Sequence, residues 1–273
     1  MAKKKKQKKK TKQELKKFHI FFFGVLVGLG LFWLPADLDF SPARFGQSSL
    51  PSQSVFEAYL PKTSPYIQHN GFVVSYDGRT RNPHWVYHKL TQEGLARETN
   101  RQGCDFKEDP TLPDHLRATK RDYSGSGFDR GHLCPAADCS TQDSVEDSFF
   151  MTNIVPQVPA FNRGFWKKLE EHVRNLTKQY STIHAFSGPL YMSSKGRDGK
   201  RYVRYQVIGE NEVAVPTHFF LLLYVELPTG KLLTKAFIIP NQAIDSKISF
   251  RRYSATVEEV ERASGVSFTN ILD

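Results

Sequence analysis

The sequence predicts an α+β fold with a largely antiparallel central sheet. Three observations point there. Strand patterns cluster in the C-terminal half, with little helix between them. One long amphipathic helix sits mid-chain. Helices and strands do not alternate regularly, as a doubly wound parallel sheet requires. Of the 273 residues, 39% are hydrophobic and 13% aromatic, a globular rather than disordered balance.

The elements follow in order. Gly71–Tyr76 reads as a strand, Asp77-Gly78-Arg79-Thr80 as a turn, and His84–Leu90 as the partner strand. Residues 94–128 carry few apolar runs and read as an extended polar loop region. Asp143–Phe150 reads as a short helix. Ala160–Tyr180 is the strongest helix, because Phe165, Trp166, Leu169, Val173, Leu176 and Tyr180 recur at helical spacing. Strands are expected at Ile183–Ser187, Tyr202–Ile208, Val213–Val215, His218–Leu227 and Leu232–Ile239, the last two joined by a hairpin through Pro228-Thr229-Gly230. Thr256–Ala263 reads as a terminal helix stopped near Gly265.

The N-terminus is built differently. Residues 1–17 hold ten lysines and one acid, Glu14, and account for +9 of the net charge of +10. The remainder is close to neutral, so nucleic-acid binding has to come from a local basic site rather than global charge. Phe18–Leu34 is an apolar stretch of seventeen residues interrupted by His19. As a helix it spans about 26 Å, the short end of a bilayer crossing. The expected organisation is a basic cytoplasmic tail (1–17), a transmembrane anchor (18–34), a Ser/Pro/Gln/Gly linker (35–54) and a folded domain (55–273). Lysines before the anchor place the domain on the non-cytoplasmic side, periplasmic or extracellular. A cleaved signal peptide is one alternative, although Pro35-Ala36-Asp37 is a poor cleavage site. Mitochondrial targeting is another, although the first arginine is Arg44. The three cysteines, Cys104, Cys134 and Cys139, do not make a disulfide framework, and the His-x-Cys-x₄-Cys spacing from His132 fits no standard zinc pattern.

Chemistry concentrates at Ser124-Gly-Ser-Gly-Phe-Asp-Arg-Gly-His132. Asp129, Arg130 and His132 bring an acid, a fixed cation and a titratable base within four residues. Phosphodiester hydrolysis needs a base for the attacking water and a cation for the phosphate oxygens. The short string alone also fits an ordinary polar turn. Asn162, Glu170 and Arg174, on the strong helix, drift only about 120° around an ideal α-helix and share its polar face. An amide oxygen and a carboxylate suit a hard cation such as Mg²⁺. A solvated face with a Glu170–Arg174 ion pair is the plainer explanation of the same residues.

The run Gly127-Phe-Asp-Arg-Gly-His-Leu133 with Pro135-Ala136 resembles the signature of the DNA/RNA non-specific endonucleases of the ββα-metal type. Asn153-Ile-Val-Pro-Gln157, Asn162-Arg-Gly-Phe-Trp166, Ser187-Gly-Pro-Leu-Tyr191, Tyr205-Gln-Val-Ile-Gly209 and Glu261-Arg-Ala-Ser-Gly265 resemble it in the same order, from about residue 57 to the end. Cys104-Asp-Phe-Lys-Glu-Asp109 adds a likeness to the endonuclease G branch. The resemblance implies a ββα-metal core and a Mg²⁺-dependent nuclease, with Mn²⁺ as a substitute, acting on DNA and RNA as a homodimer. By position it implies His132 as general base and Asn162 as the direct metal ligand. Glu170 would hold metal-bound waters; Arg130, Arg174 and, on looser spacing, Arg101 would bind phosphate; Asp129 would orient the site. Cys134 departs from the pattern, which more often has another small residue there. A non-catalytic, membrane-tethered nucleic-acid binder is the alternative from another class. It needs neither base nor metal ligand.

Overall fold

The computed structural model describes residues 66–229 and 231–268. All of them belong to a unit running from Thr63 to Asp273. The expected tail, anchor and linker lie outside the described residues.

In chain order the strands are β1 (Ile67–His69), β2 (Phe72–Asp77), β3 (Asn82–Thr91), β4 (Asp129–His132), β5 (Ile154–Gln157), β6 (Thr182–Leu190), β7 (Ser194–Lys195), β8 (Arg201–Tyr202), β9 (Val207–Ile208), β10 (Val213–Ala214), β11 (His218–Glu226), β12 (Leu232–Pro240) and β13 (Ser254–Ala255). The helices are α1 (Gln92–Leu95), α2 (Gln142–Ser148), α3 (Lys167–Leu176) and α4 (Val257–Ser264). The order β1-β2-β3-β6-β11-β12-β13 forms a seven-stranded sheet, and every pairing in it is antiparallel.

Strand β11 shows why the sheet forms here. Phe219, Leu221, Leu223 and Val225 face one core, and Phe220, Leu222 and Tyr224 face the other. Both faces are covered, so the strand is a continuous apolar run rather than an alternating one. The first face packs Phe161, Phe165, Trp166, Leu169, Val173 and Leu176, the stripe that starts just before α3 and runs along it. On the second face sit Val260 of α4 and Phe268. Thr256 caps α4 through Glu259, and Gly265 ends it at φ 74°, a left-handed conformation that glycine adopts without penalty.

Three expectations need correction. The strand expected over Tyr202–Ile208 is broken into β8 and β9, which pair with β7 and β10 in separate ribbons. The helix expected from Ala160 begins as a π-helical turn over Phe161–Trp166 before α3 continues. Finally, β4 and β5 were not expected as strands. They are four residues each and pair antiparallel, from Asp129↔Gln157 to His132↔Ile154. Followed by the π turn and α3, they make a ββα unit.

Candidate active site

The ββα unit gathers the chemically capable side chains. Its ribbon is held from several directions. Asn153 accepts from the Cys134 amide through Oδ1 (2.8 Å) and donates to the Cys134 and Ser148 carbonyls, 2.9 Å each. Ser187 of β6 donates to the Leu133 carbonyl at 3.0 Å, tying the segment after His132 to the central sheet. Asn241 donates to the Pro156 carbonyl at 3.1 Å and accepts from the Val158 amide at 2.9 Å. A Cβ on Gly131 would run into the buried Gln157 side chain, so the ribbon closes only on glycine.

Within β4, Arg130 and His132 lie on the same side by the two-residue period of a strand. Both meet Phe106. The Arg130 guanidinium carbon sits 4.9 Å from its ring centre, and the His132 ring centre lies 5.6 Å from it. Phe149 packs edge-on against His132 at 5.0 Å, with Arg101 over its ring at 5.8 Å. The imidazole therefore stands between two aromatic rings, each capped by an arginine. Among the described residues neither ring nitrogen has a hydrogen-bond partner; Nε2 is sealed from solvent, whereas Nδ1 is not. Burial, aided by the nearby Arg101 charge, pushes the His132 pKa down to about 4. The ring is neutral at pH 7, the form that can accept a proton.

Asp129 faces the π turn. It accepts from Asn162 Nδ2 at 2.9 Å and from Arg163 Nε at 2.8 Å, and Arg163 Nη2 lies 2.5 Å from its other oxygen. Burial alone would raise the Asp129 carboxyl, but the hydrogen bonds from Arg163 and Asn162 outweigh it and hold it below the ordinary range. With its amide nitrogen committed, Asn162 has Oδ1 left without a protein donor among the described residues. The common face expected for Asn162, Glu170 and Arg174 was reckoned from uniform α-helical phase, whereas the winding between Asn162 and Glu170 includes the π turn. What orients Asn162 is Asp129.

Glu170 and Arg174 lie on α3. Arg174 donates from Nη1 to Asp138 Oδ1 at 2.6 Å and forms no ion pair with Glu170 among the described residues. Burial and then repulsion from Asp138 outweigh the Arg174 charge and push the Glu170 carboxyl up to about 8. A carboxylate in that position is stabilised by a cation brought to it. A carboxylate oxygen and an amide oxygen are both hard donors of the kind that Mg²⁺ or Mn²⁺ takes. Cys104, Cys134 and Cys139 are all free thiols. Cys134 and Cys139 are buried, and burial raises the Cys134 thiol well above its ordinary value.

The structure thus brings Arg101 beside His132 despite its distance in sequence, and it ties Asp129 to Asn162. It adds residues the sequence did not single out: Phe106 and Phe149 as walls, Arg163 on Asp129, and Asp138 on Arg174. Two of them lay in quoted segments, Arg163 in Asn162-Arg-Gly-Phe-Trp166 and Phe106 in Cys104-Asp-Phe-Lys-Glu-Asp109.

The family model for DNA/RNA non-specific endonucleases matches residues 54–273. The chain belongs to the DNA/RNA non-specific endonucleases. It is similar to the mitochondrial endonuclease G of Bos taurus, at 43% identity over 215 residues, covering 78% of this chain and 72% of that protein. It is also similar to nuclease C1 of Cunninghamella echinulata var. echinulata, at 41% identity, covering 81% and 90%. Among solved structures it resembles the EndoG/EndoGI complex, with a TM-score of 0.73 and 41% identity over 74% of this chain and 84% of that one. As a member of this family the chain is an enzyme, a metal-dependent endonuclease that hydrolyses phosphodiester bonds in DNA and RNA without sequence specificity.

The relatives overturn one expectation. Those from Bos taurus, Caenorhabditis elegans, Schizosaccharomyces pombe and Danio rerio are all named as mitochondrial, so the membrane-anchored, periplasmic or extracellular placement is not retained. Among the described residues no helix is long and apolar enough to cross a membrane. The physical reason for the error is length. A basic flank and seventeen apolar residues satisfy a short membrane span and a targeting segment almost equally.

Proposed function

We propose that His132 is the general base of this endonuclease and that Asn162 and Glu170 hold its divalent ion. One observation carries the reading: a neutral imidazole, open at Nδ1 and flanked by two arginine-capped rings, lies on the same short strand as the carboxylate that fixes the Asn162 amide. His132 takes a proton from a water molecule at Nδ1. The water oxygen bonds to phosphorus, the bond from phosphorus to the 3′ oxygen breaks, that oxygen takes a proton from solvent as it leaves, and the proton on His132 returns to solvent. The products carry 5′-phosphate and 3′-hydroxyl ends.

Asn162 Oδ1 would hold Mg²⁺ or Mn²⁺ directly and Glu170 would hold it through water, and the ion would supply positive charge to offset that on the phosphate and the leaving oxygen. Arg101 and Arg130 offset charge on the non-bridging phosphate oxygens, and Arg174 binds an adjacent phosphate oxygen. Asp129 orients Asn162. These groups address phosphate and sugar rather than base edges, which accounts for indifference to sequence. The homodimer expected from the resemblance is tested by sedimentation of the full chain.

The deciding experiment is plasmid nicking with and without Mg²⁺ by the wild type and His132→Ala. Loss of the base should lower kcat by about 100- to 10,000-fold with substrate affinity nearly unchanged. Full activity in the folded variant refutes the assignment. Binding of plasmid by the wild type without Mg²⁺-dependent cleavage would favour the non-catalytic alternative.

A further inference from the structure

We propose that Asp138 is a positioning residue that aims Arg174 at the substrate phosphate and keeps it off Glu170; this rests on the phosphate-binding role proposed for Arg174. Asp138 closes the short turn Ala136–Asp138 that follows the catalytic strand. Its side chain is only 2% exposed. One oxygen accepts from Arg174 Nη1 at 2.6 Å, and the other lies 3.0 Å from Nε2 of the buried His88 on β3. A single carboxylate thus joins the central sheet, the turn after His132 and helix α3.

Two physical consequences follow. An arginine side chain carries large rotamer freedom, and anchoring one Nη on a buried carboxylate removes much of it before substrate arrives. The Arg174 side chain remains 21% exposed, so it is held from beneath and still reaches solvent. Glu170 also stands one turn before Arg174, the spacing at which a glutamate and an arginine on a helix pair. By occupying Nη1, Asp138 wins that competition. Glu170 keeps its carboxylate for the waters of the metal ion, and Arg174 keeps its remaining donors for phosphate. His88 in turn fixes the Asp138 carboxylate from the sheet side.

The test uses the full chain in Mg²⁺ buffer, comparing wild type, Asp138→Ala, Asp138→Asn, Arg174→Ala and the doubles with Arg174→Ala. Plasmid-cleavage kcat and KM and thermal midpoint are measured for each. Asp138→Ala should lower kcat/KM about 10- to 100-fold, the usual cost of losing a supporting residue behind a site. Asp138→Asn keeps an acceptor oxygen for Arg174 and should recover part of that loss. In the Arg174→Ala background either change should cost less than about twofold further, although the thermal midpoint of the Asp138→Ala variant still falls because the His88 contact is lost. Losses that multiply with that of Arg174→Ala, or wild-type kcat/KM in a folded Asp138→Ala, overturn the proposal. If Asp138→Ala does not fold, the isosteric Asp138→Asn decides by the same comparison. Retained cleavage by His132→Ala would instead overturn the base assignment alone.

Discussion

At the scale of single residues, the site works by committing some polar atoms so that others are left over. Asp129 takes the Asn162 amide nitrogen and thereby presents its oxygen. Asp129→Ala frees that amide to rotate. Mg²⁺ affinity, measured by titration of cleavage rate, should weaken about 10- to 100-fold, and unchanged affinity would remove Asp129 from the metal site. Glu170 gives a pH signature. Its carboxyl is raised from an ordinary 4.5 to about 8, so the metal-free fold favours the protonated form. That contribution to stability is complete below the ordinary value and lost as pH rises through about 8. In chelator, the thermal midpoint of the wild type should fall from pH 5 to 9 more steeply than that of Glu170→Gln. Parallel curves would show that Glu170 does not titrate as described. His132 has the opposite sign, since its pKa is depressed to about 4 and its contribution is lost as pH falls toward that value.

At the scale of elements, the decisive unit was the hardest to read. Strand β4 is Asp-Arg-Gly-His, with three polar residues and a glycine, and nothing in it carries a strand propensity. It is a strand because Ile154–Gln157 pairs with it and because Asn153, Ser187 and Asn241 clamp the ribbon. Gly131 is required by packing rather than by backbone conformation. Gly131→Ala should destabilise the fold by about 1–3 kcal/mol, the usual cost of overpacking. Because the clash opens the ribbon that carries His132, kcat should fall with the thermal midpoint. A wild-type midpoint in Gly131→Ala would show that Gln157 moves aside freely. The π turn is the other element hidden from periodicity. The apolar stripe from Phe165 to Leu176 was legible, but a helix pattern assumes 100° per residue and cannot report where the winding changes.

At the scale of the whole molecule, the proposed phosphate contacts are a few local cations in a chain that is nearly neutral beyond its lysine tail. Phosphate contacts of this kind release counterions, so KM for plasmid should rise steeply between about 50 and 200 mM salt. A flat salt response would argue that Arg101, Arg130 and Arg174 do not meet phosphate. The molecule also explains why Arg101 joins a site built around His132. The loop from Arg101 to Asp109 is pinned where Asp109 accepts from Thr152 at 2.6 Å and meets the buried His69 of β1 at 3.1 Å. The Lys107 amide donates to the Phe149 carbonyl, and the Lys107 carbonyl accepts from the Met151 amide. Phe106 and Phe149 are thereby brought to the two sides of the imidazole.

The sequence alone determined the central sheet, the α3 stripe and the residue types of the site. Those are local properties: apolar periodicity and the neighbours of a motif along the chain. Tertiary structure decided which polar atoms are already taken. Arg174 belongs to Asp138, the Asn162 amide nitrogen belongs to Asp129, and His132 is walled by rings from distant segments. Hydrogen bonds and burial depend on groups far apart in sequence, so no spacing rule reports them.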